Sequence, residues 1–357
     1  MYIMLTKESR YDAHELTVFA STLLCRAGMD TKKAQTVAEI LVQGDLMGHD
    51  THGLGLLASY LDELEKNFMT KTGEPKVLAD FPAALTWDGL RLPGPWLVVK
   101  AMEVAMERAA SQGSCTVVIR RSHHIACLAA YLKRATDQGM MMQLHCSDRN
   151  SASVAPFGGL DPVFTPNPMS IGIPTQDIPL LIDVSTSATT NGLTKRTHTE
   201  GKLLPAAWLM DGFGVPSNDP AVLFNEPKGT ILPLGGKDSG HKGYGLTLMV
   251  EALTGGLAGH GRADQKEGWG ATVFLQIIDP RAFAGLDAFT RQTSTVATMC
   301  RASRPATAGQ AVRTPGERGL ALARLQKEQG LALYPSVLPG LTDWAQKLKV
   351  TLPQVMA

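Results

Sequence analysis

Apolar residues recur every three to four positions along the first part of the chain, and this spacing predicts amphipathic helices rather than strands. Glycine just after a helix and Asp-Thr just before one are typical of helix ends. The elements predicted before residue 115 are a helix ending at Gly28, a helix after Asp30-Thr31 that covers Ala34–Met47, a helix from about Asp50-Thr51 through Tyr60 toward Phe68, a strand at Ala84–Trp87 and a helix at about Leu97–Ala110. The chain therefore begins with a largely helical segment.

After residue 115 the pattern changes to short apolar runs separated by one helical stretch. Thr116–Ile119 is strand-like, Ala126–Gln138 has helical spacing, and Met140–Cys146 is again strand-like. A strand, a helix and a second strand at this spacing predict a parallel pair of strands inside an α/β sheet.

Short strands and loops are predicted between residues 150 and 235, and helices dominate the end of the chain. Ile171–Pro174 and Leu180–Val184 are predicted as a hairpin or as neighbouring strands. The later predicted elements are a long helix after Lys242, a strand at Ala271–Ile278, and helices at about Leu286–Arg301, Arg318–Gln329 and Leu341–Lys349. The predicted fold class is α/β.

The composition is ordinary for a globular protein and argues against several classes of partner. With 357 residues, 44% of them hydrophobic, the chain can bury a large core and is expected to form two lobes. A formal net charge of +1 gives no indication of a nucleic-acid partner. No apolar run reaches the roughly 20 residues that span a bilayer, and Met1–Glu8 lacks the features of a secretion signal. Neither nucleic acid nor a membrane is therefore expected as a partner.

The cysteines and histidines predict a reducing compartment and no metal site. The five cysteines are far apart and include no Cys-x-x-Cys pair, which favours the cytoplasm over an oxidising compartment. The nine histidines include no His-Glu-x-x-His pattern. The adjacent His123 and His124 would diverge on a helix instead of chelating one ion.

A glycine-rich stretch, Gly235–Gly245, immediately precedes the apolar part of the predicted helix after Lys242. A helix N-terminus exposes unpaired N–H groups and attracts anions, and Lys242 would add a full positive charge. Glycines also let the backbone come close to a ligand. Two interpretations stay open, a phosphate or carboxylate site and a loop that only caps a buried helix.

Two histidines are in positions from which they could exchange a proton with a substrate. If Thr51 caps the third helix, His52 lies at the positive end of that helix, where the neutral imidazole is favoured. Leu56 and Tyr60 then follow on the same helix face. His124 comes just after a predicted strand, and ligands gather at the carboxyl ends of strands in α/β sheets. Both could act near neutral pH, but a histidine satisfied by its own turn is the alternative at either position.

The segment Asp183–Ser187 ends an apolar strand with an acid and three hydroxyl groups. Such a cluster can bind ribose hydroxyls or a pyrophosphate, or it can form a turn whose hydroxyls bond to the backbone, and both interpretations stay open. The near match to a dinucleotide fingerprint, Gly53-x-Gly55-x-x-Ala58, follows a predicted helix rather than a strand. A Rossmann site is therefore not predicted.

Several short motifs, in this order, resemble those of the malate/L-lactate dehydrogenase family that is distinct from the Rossmann enzymes. The resemblance covers nearly the whole chain. The motifs are Asp50–Gly53 with Tyr60, Ser122–His124 with Tyr131, Val154–Gly159 with Asn167-Pro168, Asp183–Ser187, Pro205–Asp211, His241–Leu246 and Pro315–Arg318. The family also includes sulfolactate, ureidoglycolate, 2,3-diketogulonate and piperideine-2-carboxylate enzymes.

The resemblance implies a mixed, non-Rossmann sheet of the L-sulfolactate dehydrogenase-like type, flanked by helices. Residues 1–115 would form an N-terminal helical segment that packs with the C-terminal helices at about 310–357. Residues 116–309 would form a dinucleotide-binding mixed α/β domain. The resemblance also implies a homodimer with the active site near the subunit interface.

The function that the resemblance implies is an NAD(P)-dependent oxidoreductase, using NAD or NADP, that moves a hydride between nicotinamide and a small 2-oxo or 2-hydroxy acid of the malate or lactate type. The alternatives are a C=N reductase for a cyclic or N-substituted imino acid and a catalytically idle dinucleotide-binding protein. The implied residues are His52, Thr51, His124 and Asp183 for catalysis, Leu56, Tyr60 and Arg149 for substrate binding, and Asp148, Asp183, Val184, Ser185, Thr186, Ser187, His241, Lys242, Gly243, Gly316 and Glu317 for cofactor binding.

One departure from the family concerns the substrate. Where the family commonly has an arginine that grips a carboxylate, one turn past His52, this chain has Leu56. An isobutyl group cannot replace a bidentate cation. We therefore expect either another cation, with Arg149 and Arg196 as the first candidates, or a substrate of different charge or size.

Overall fold

The computed structural model describes residues 9–356 of the chain. Met1–Glu8, for which no secretion signal is predicted, lies outside the described residues. The helices are α1 (Ala13–Arg26), α2 (Thr31–Leu46), α3 (Leu57–Glu65), α4 (Gly94–Gln112), α5 (Ala129–Thr136), α6 (Asn191–Thr199), α7 (Gly236–Glu251), α8 (Leu286–Arg301), α9 (Glu317–Gln329) and α10 (Val337–Leu348). The strands are β1 (Arg10–Tyr11), β2 (Lys76–Phe81), β3 (Ala84–Asp88), β4 (Ser114–Ser122), β5 (Met141–Ser147), β6 (Met169–Ile173), β7 (Leu180–Val184), β8 (Leu209–Met210), β9 (Pro216–Ser217), β10 (Thr230–Ile231), β11 (Ala271–Ile278) and β12 (Leu331–Ala332).

The central sheet has seven strands in the order β2-β3-β4-β11-β5-β6-β7. β3 and β4 run parallel, whereas the other neighbouring strands are antiparallel. The sheet is therefore mixed, and its order is not that of a Rossmann fold. The predicted fold class, a mixed non-Rossmann sheet flanked by helices, is confirmed.

β4 and β5 point in the same direction but are not neighbours. β11 lies between them and pairs antiparallel with both. The prediction that they form a parallel pair was wrong because their common partner comes from a distant part of the sequence, which no local pattern indicates. β6 and β7 do form the predicted pair of neighbouring strands.

Side chains alternate between the two faces of β11, as the period of a strand requires. Val273, Leu275 and Ile277 belong to the main core, which includes buried residues of α2, α4 and α5. Phe274 faces the other way and packs with Val118 and Ala258. Ala258 follows a π-helical turn, Ala252–Gly256, that continues α7. The sheet is thus covered by helical segments on both faces.

Two of the differences between predicted and observed helix starts concern the predicted site residues. α3 begins at Leu57 after a short 3₁₀ turn, so Thr51 is not its N-cap, and the prediction that His52 lies at the positive end of this helix was wrong. α7 begins at Gly236, and Gly235, with a φ of 98°, is its N-cap. Lys242 therefore lies inside α7 instead of before it. The prediction failed there because glycines, which disfavour helices, fill the first turns of α7.

The two ends of the described chain meet. β1 pairs with β12, and α10 packs against α1 and α3. The segment 1–115 is not purely helical, since it also contains β2 and β3 of the central sheet. The division into domains at residue 115 stays a prediction. No helix among residues 9–356 is both long and apolar enough to cross a membrane.

Candidate active site

His52 stands on a tight turn between α2 and α3, and a buried carboxyl group holds this turn in place. The His52 N–H donates to the His49 carbonyl at 2.8 Å, and the Leu54 N–H donates to Asp45 Oδ2 at 2.7 Å. A Cβ at Gly53 would lie 2.1 Å from Asp45 Oδ1, so only glycine fits against this carboxyl. Burial raises the pKa of Asp45 to about 7. The position of His52 therefore depends on residues beneath it.

The imidazole of His52 is neutral near pH 7. Burial, with a smaller contribution from His49, lowers the pKa of His52 to about 4. Thr51 Oγ1 lies 2.9 Å from Nδ1 of the ring. Among the described residues no side chain bonds to Nε2, so this nitrogen is available to a ligand.

His124 lies beside His52, and its ring is held by groups behind it. The two rings stack with centroids 5.9 Å apart. The Ala126 N–H donates to His124 Nδ1 at 3.3 Å, so the neutral ring carries its proton on Nε2. The Tyr60 hydroxyl lies 3.0 Å from the same Nδ1. Burial, followed by the nearby histidines, lowers the pKa of His124 well below its usual value.

Asp183, at the end of β7, contributes a half-buried carboxyl group. Its Oδ2 accepts a hydrogen bond from the Ala129 N–H at 2.8 Å, and the Cys127 thiol lies 3.9 Å from the same atom. Burial raises the pKa of Asp183. This carboxyl group therefore faces the start of α5 from the neighbouring strand.

The hydroxyls that follow Asp183 are used largely by their own loop. Ser185 Oγ donates to the Ser187 carbonyl at 3.0 Å, and Ser187 Oγ donates to the Thr189 carbonyl at 2.7 Å. Thr186 Oγ1 donates to the Pro166 carbonyl at 3.0 Å. Of the two interpretations that the sequence left open for these hydroxyls, the backbone-bonded turn describes their contacts.

Several of the predicted site residues line one cavity of about 450 Å³. Its walls come from the turn after α2, the loop before α5, the end of β5 and the segment between β7 and α6. The predicted residues that line it are Thr51, His52, Leu56, His124, Asp148, Asp183 and Ser185. The structure thus brings together all the predicted catalytic residues.

The predicted cations lie elsewhere. Arg149 donates to the Gln265 carbonyl and lies 3.3 Å from Glu267 Oε2. Arg196 pairs with Asp50 at 2.9 Å, and its guanidinium lies 3.9 Å above the Tyr334 ring. No lysine or arginine within residues 9–356 is among the residues that line the cavity.

The glycine-rich segment packs α7 against its own preceding loop. A Cβ at Gly243 would lie 2.4 Å from the Leu234 nitrogen, and one at Gly240 would lie 2.9 Å from the Phe157 ring. Among the two open interpretations of this segment, these contacts favour the structural one. His241 and Lys242 are exposed and do not line the cavity.

The remaining predicted cofactor residues also lie outside the cavity wall. Val184 is exposed at the end of β7. Glu317, at the start of α9, accepts a hydrogen bond from Thr314 Oγ1 at 2.7 Å and pairs with Arg301. Gly316 packs against Leu181, whose Cβ would be 2.8 Å from an added Cβ. Their assignment to cofactor binding stays a prediction.

Sequence reasoning missed several residues of the cavity wall. Trp269 lies with its ring centroid 4.7 Å from that of His124, and an isolated tryptophan between two glycines just before β11 is a signal that could have indicated it. The Thr190–Gly192 segment begins α6, and a Cβ at Gly192 would lie 3.4 Å from the Thr51 Cβ. The other missed residues include His49, Cys127 and Cys146.

Two neutral imidazoles and a half-buried carboxyl group around a small cavity suit an enzyme that moves protons in step with a redox reaction. The comparisons with known proteins agree with this class. The model of a family described as malate/L-lactate dehydrogenase matches residues 11–342, and the chain belongs to that family of oxidoreductases.

Relatives and solved structures extend over nearly the whole chain. The hydroxycarboxylate dehydrogenase B of Escherichia coli O157:H7 is 30% identical over 95% of this chain and 94% of its own length. The crystal structure of malate dehydrogenase from Entamoeba histolytica has a TM-score of 0.91 at 25% identity, covering 98% of this chain and 100% of that one. The delta1-piperideine-2-carboxylate reductase from Pseudomonas syringae has a TM-score of 0.81 at 25% identity, with coverage of 94% and 99%.

Proposed function

We propose that this chain is an NAD(P)-dependent oxidoreductase that interconverts a small 2-hydroxy acid and the corresponding 2-oxo acid. The observation that carries the proposal is the meeting of His52, His124 and Asp183 on the wall of one cavity. Membership of the malate/L-lactate dehydrogenase family supports it.

The wall of the cavity fits a nicotinamide and its ribose. Hydroxyls of Thr51, Ser151 and Thr165 line it and can bond to ribose or amide groups. Trp269 offers a flat aromatic surface on the same wall. A volume of about 450 Å³ leaves room for a small acid beside the ring. When bound, the nicotinamide supplies the hydride donor or acceptor of the reaction.

The proton chemistry falls to His52. Its neutral ring can take the proton from a substrate hydroxyl through Nε2 during oxidation. Thr51, at 2.9 Å from Nδ1, orients the ring. His124 carries a proton on Nε2 and can donate a hydrogen bond to the same substrate oxygen. In the direction of reduction, Nε2 of His52 returns the proton to the substrate oxygen. Asp183, whose pKa is raised by burial, lies on the same cavity wall.

The substrate carboxylate would lie at the N-terminus of α6. Thr190 caps this helix by accepting the Leu193 N–H, and the N–H groups of Asn191 and Gly192 at the helix start would be available to an anion. Thr190, Asn191 and Gly192 all line the cavity, and Gly192 lies next to Thr51. The helix end would thus do the work of the arginine that Leu56 replaces.

A second candidate is the reduction of a C=N bond in a cyclic or N-substituted imino acid. The carboxyl groups of Asp148 and Asp183 in the cavity wall favour it, because an iminium substrate is positively charged. The structural likeness to a piperideine-2-carboxylate reductase also supports it.

Turnover assays separate these candidates. NADH and NADPH are tested with pyruvate, oxaloacetate and piperideine-2-carboxylate, and binding of the dinucleotide is followed by its fluorescence. We expect His52→Gln to lower kcat by about 10²–10⁴-fold while the dinucleotide still binds. Unchanged turnover in this variant would remove His52 from the mechanism. Dinucleotide binding without turnover of any of these substrates would favour the third alternative, a catalytically idle dinucleotide-binding protein.

The choice between NAD and NADP is part of the proposal only as an alternative. Arg196 and His198 could contact the 2′-phosphate of NADP, but Arg196 is paired with Asp50 and the His198 ring stacks on that of Phe224 with centroids 4.5 Å apart. Separate titrations with NADH and NADPH measure the preference directly. A cytoplasmic location stays a prediction from the five unpaired cysteines.

The proposal includes a homodimer. α7 and the segment after it expose apolar side chains on the surface, among them Leu248, Met249 and Leu257, of which Leu257 is 57% exposed. A second copy of the chain would cover such a patch. Sedimentation equilibrium measures the mass in solution, and a monomer at micromolar concentration would contradict the dimer.

A further inference from the structure

Three side chains that bind transition metals converge on the cavity wall. They are His49 in the turn after α2, Cys127 just before α5, and Asp183 in β7. One ligand atom from each lies within 4.8 Å of the others. The proposed reaction gives no role to His49 or Cys127.

The backbone fixes this convergence. A Cβ at Gly44 would lie 3.4 Å from the Cβ of Cys127, so the glycine lets α2 come close to the loop before α5. Gly48, with a φ of 82°, ends α2 in the left-handed region, and the His49 N–H then donates to the Gly44 carbonyl at 2.9 Å. Asp183 is held from the other side by the Ala129 N–H at 2.8 Å.

We propose that His49, Cys127 and Asp183 form a metal site that binds zinc, with water from the cavity as the fourth ligand. An imidazole, a thiolate and a carboxylate are all ordinary zinc ligands. Mg²⁺ and Ca²⁺ do not suit the site, because they prefer sets of oxygen ligands.

The distances fit zinc after a small adjustment. Zinc–ligand bonds of about 2.0–2.3 Å in a tetrahedron leave the ligand atoms about 3.3–3.6 Å apart. The observed limit of 4.8 Å thus needs a movement of roughly one ångström. Rotation of the half-buried His49 ring can supply it, since no side-chain hydrogen bond to this ring is formed among the described residues.

Metal binding replaces the weak contact between Cys127 and Asp183 with bonds from both residues to the metal. Without metal, the Cys127 thiol lies 3.9 Å from Asp183 Oδ2, a long contact even for sulfur. On binding, the sulfur–metal bond forms and the thiol proton leaves to solvent. Asp183 Oδ2 keeps the Ala129 N–H, and one oxygen of the same carboxylate coordinates the metal.

Zinc at this position would stop turnover, because it occupies the cavity and engages Asp183. This consequence rests on the proposed function, whereas metal binding itself does not. The site would therefore make the enzyme sensitive to the concentration of free zinc.

Cobalt is the probe for the test, because Co²⁺ replaces zinc and reports its ligands by absorbance. The chelator-treated full-length protein is titrated with Co²⁺, and zinc is then added to displace it. We expect one equivalent to bind with a thiolate-to-cobalt charge-transfer band in the near ultraviolet. The band should disappear in Cys127→Ser, and the affinity should fall at least about tenfold in His49→Ala.

Cys146→Ser is the matched control, because Cys146 lines the same cavity but is not part of the cluster. It should keep both the band and the affinity, and circular-dichroism melting verifies that each variant is folded. The proposal is overturned if the native protein gives no band, if Cys127→Ser keeps it, or if Cys146→Ser loses it.

The activity arm separates this proposal from the proposed function. If the enzyme turns over, zinc should inhibit the native protein at a concentration at least about tenfold lower than it inhibits Cys127→Ser. A cobalt band in a protein without dehydrogenase activity would retain the metal site and reject the function. Turnover with equal zinc sensitivity in the native protein and in Cys127→Ser would reject inhibition through this site.

Discussion

At the scale of single residues, the most consequential feature is the neutral state of His52. Burial, with a smaller contribution from His49, lowers the pKa of the ring, so it stays unprotonated well below the pH at which a free histidine becomes charged. The ring is therefore in the unprotonated form that a base requires at neutral pH, while the lowered pKa makes it a weaker base than a free histidine.

This state predicts an unusual pH profile. A base with a pKa lowered to about 4 loses activity only as the pH falls through that value, not near 6.5. We expect the acidic limb of kcat/KM for oxidation of the hydroxy acid to lie near pH 4, or to be hidden by unfolding. The measurement is kcat/KM from pH 4 to 8, with circular dichroism at each pH. A limb near 6.5 in folded protein would contradict the prediction.

Asp45→Asn should be stabilising at high pH. The pKa of Asp45 is raised from 3.8 to about 7 by burial, so the folded state holds a proton that the unfolded state releases. The stability that protonated Asp45 contributes is therefore fully present below about pH 4 and is lost as the pH rises through about 7. Ionised Asp45 costs on the order of 2–4 kcal/mol at pH 8.

Asparagine keeps an oxygen for the Leu54 N–H without this cost. We expect the difference in the free energy of unfolding between Asp45→Asn and the native protein to be larger at pH 8 than at pH 5, as measured by urea denaturation. An Asp30→Asn variant, altered at the exposed cap of α2, serves as the control. Equal differences at both pH values would show that Asp45 is ionised in the folded protein.

Leu56→Arg tests where the substrate carboxylate binds. If the N-terminus of α6 already holds it, an arginine at position 56 should not improve kcat/KM for pyruvate, and Leu56→Met controls for the change of side chain. A rise of about tenfold, equivalent to about 1.4 kcal/mol, would show that the missing cation limits the enzyme.

At the scale of elements, α7 shows how packing can outweigh the local signal. Gly243 lies against the backbone of Leu234, whereas Gly245 on the same helix has no atom within 4 Å of an added Cβ. The two glycines therefore have opposite roles, although the sequence presents them alike.

Alanine at these two positions should have opposite effects on stability. Gly243→Ala overpacks α7 against the Leu234 backbone and should lower the free energy of unfolding by about 1–3 kcal/mol. Gly245→Ala removes a poor helix former from an open site and should raise it by about 0.5–1 kcal/mol. Urea denaturation of both variants measures the difference. A loss for Gly245→Ala as large as for Gly243→Ala would contradict this account.

The elements also show which predictions the sequence supports. The end of α1 and the start of α2 were predicted closely, because Gly28 follows the first helix and Asp30 caps the second. The predicted start of α3 was wrong because a 3₁₀ turn precedes the helix, and the residue that bonds to this turn, Asp45, belongs to another helix. The neighbour of β4 could not be predicted, since strand pairing depends on contacts between distant segments.

At the scale of the whole molecule, the last helices support the site from behind. The buried Gln326 in α9 donates to the carbonyls of Asp45 and Leu46 at the end of α2. Its Oε1 accepts the Ala332 N–H at 3.1 Å. One side chain thus joins the C-terminal part of the chain to the helix that precedes His49 and His52.

Gln326→Leu should destabilise the protein by about 1–3 kcal/mol, because it removes hydrogen bonds from buried backbone groups. Gln329→Leu, on an exposed face of the same helix, is the matched control and should change stability by less than about 0.5 kcal/mol. Thermal unfolding followed by calorimetry compares them. Equal melting temperatures for the two variants would contradict the role of Gln326.

The candidate site as a whole was only partly predictable. Motif resemblance indicated the candidate catalytic residues, because each motif keeps its chemistry in a short stretch of sequence. It could not indicate that Arg149 would turn toward Glu267, or that His49 and Cys127 would meet Asp183. Those outcomes depend on how distant segments pack.

The late position of β11 in the chain has a consequence for biosynthesis. Until the ribosome has released residues 271–278, β4 and β5 each lack the strand that lies between them, and the nascent chain exposes two unpaired edges. Such edges bind chaperones or each other. Folding of the sheet must therefore wait until translation is well advanced, and ribosome-bound fragments that stop before β11 should be protease-sensitive.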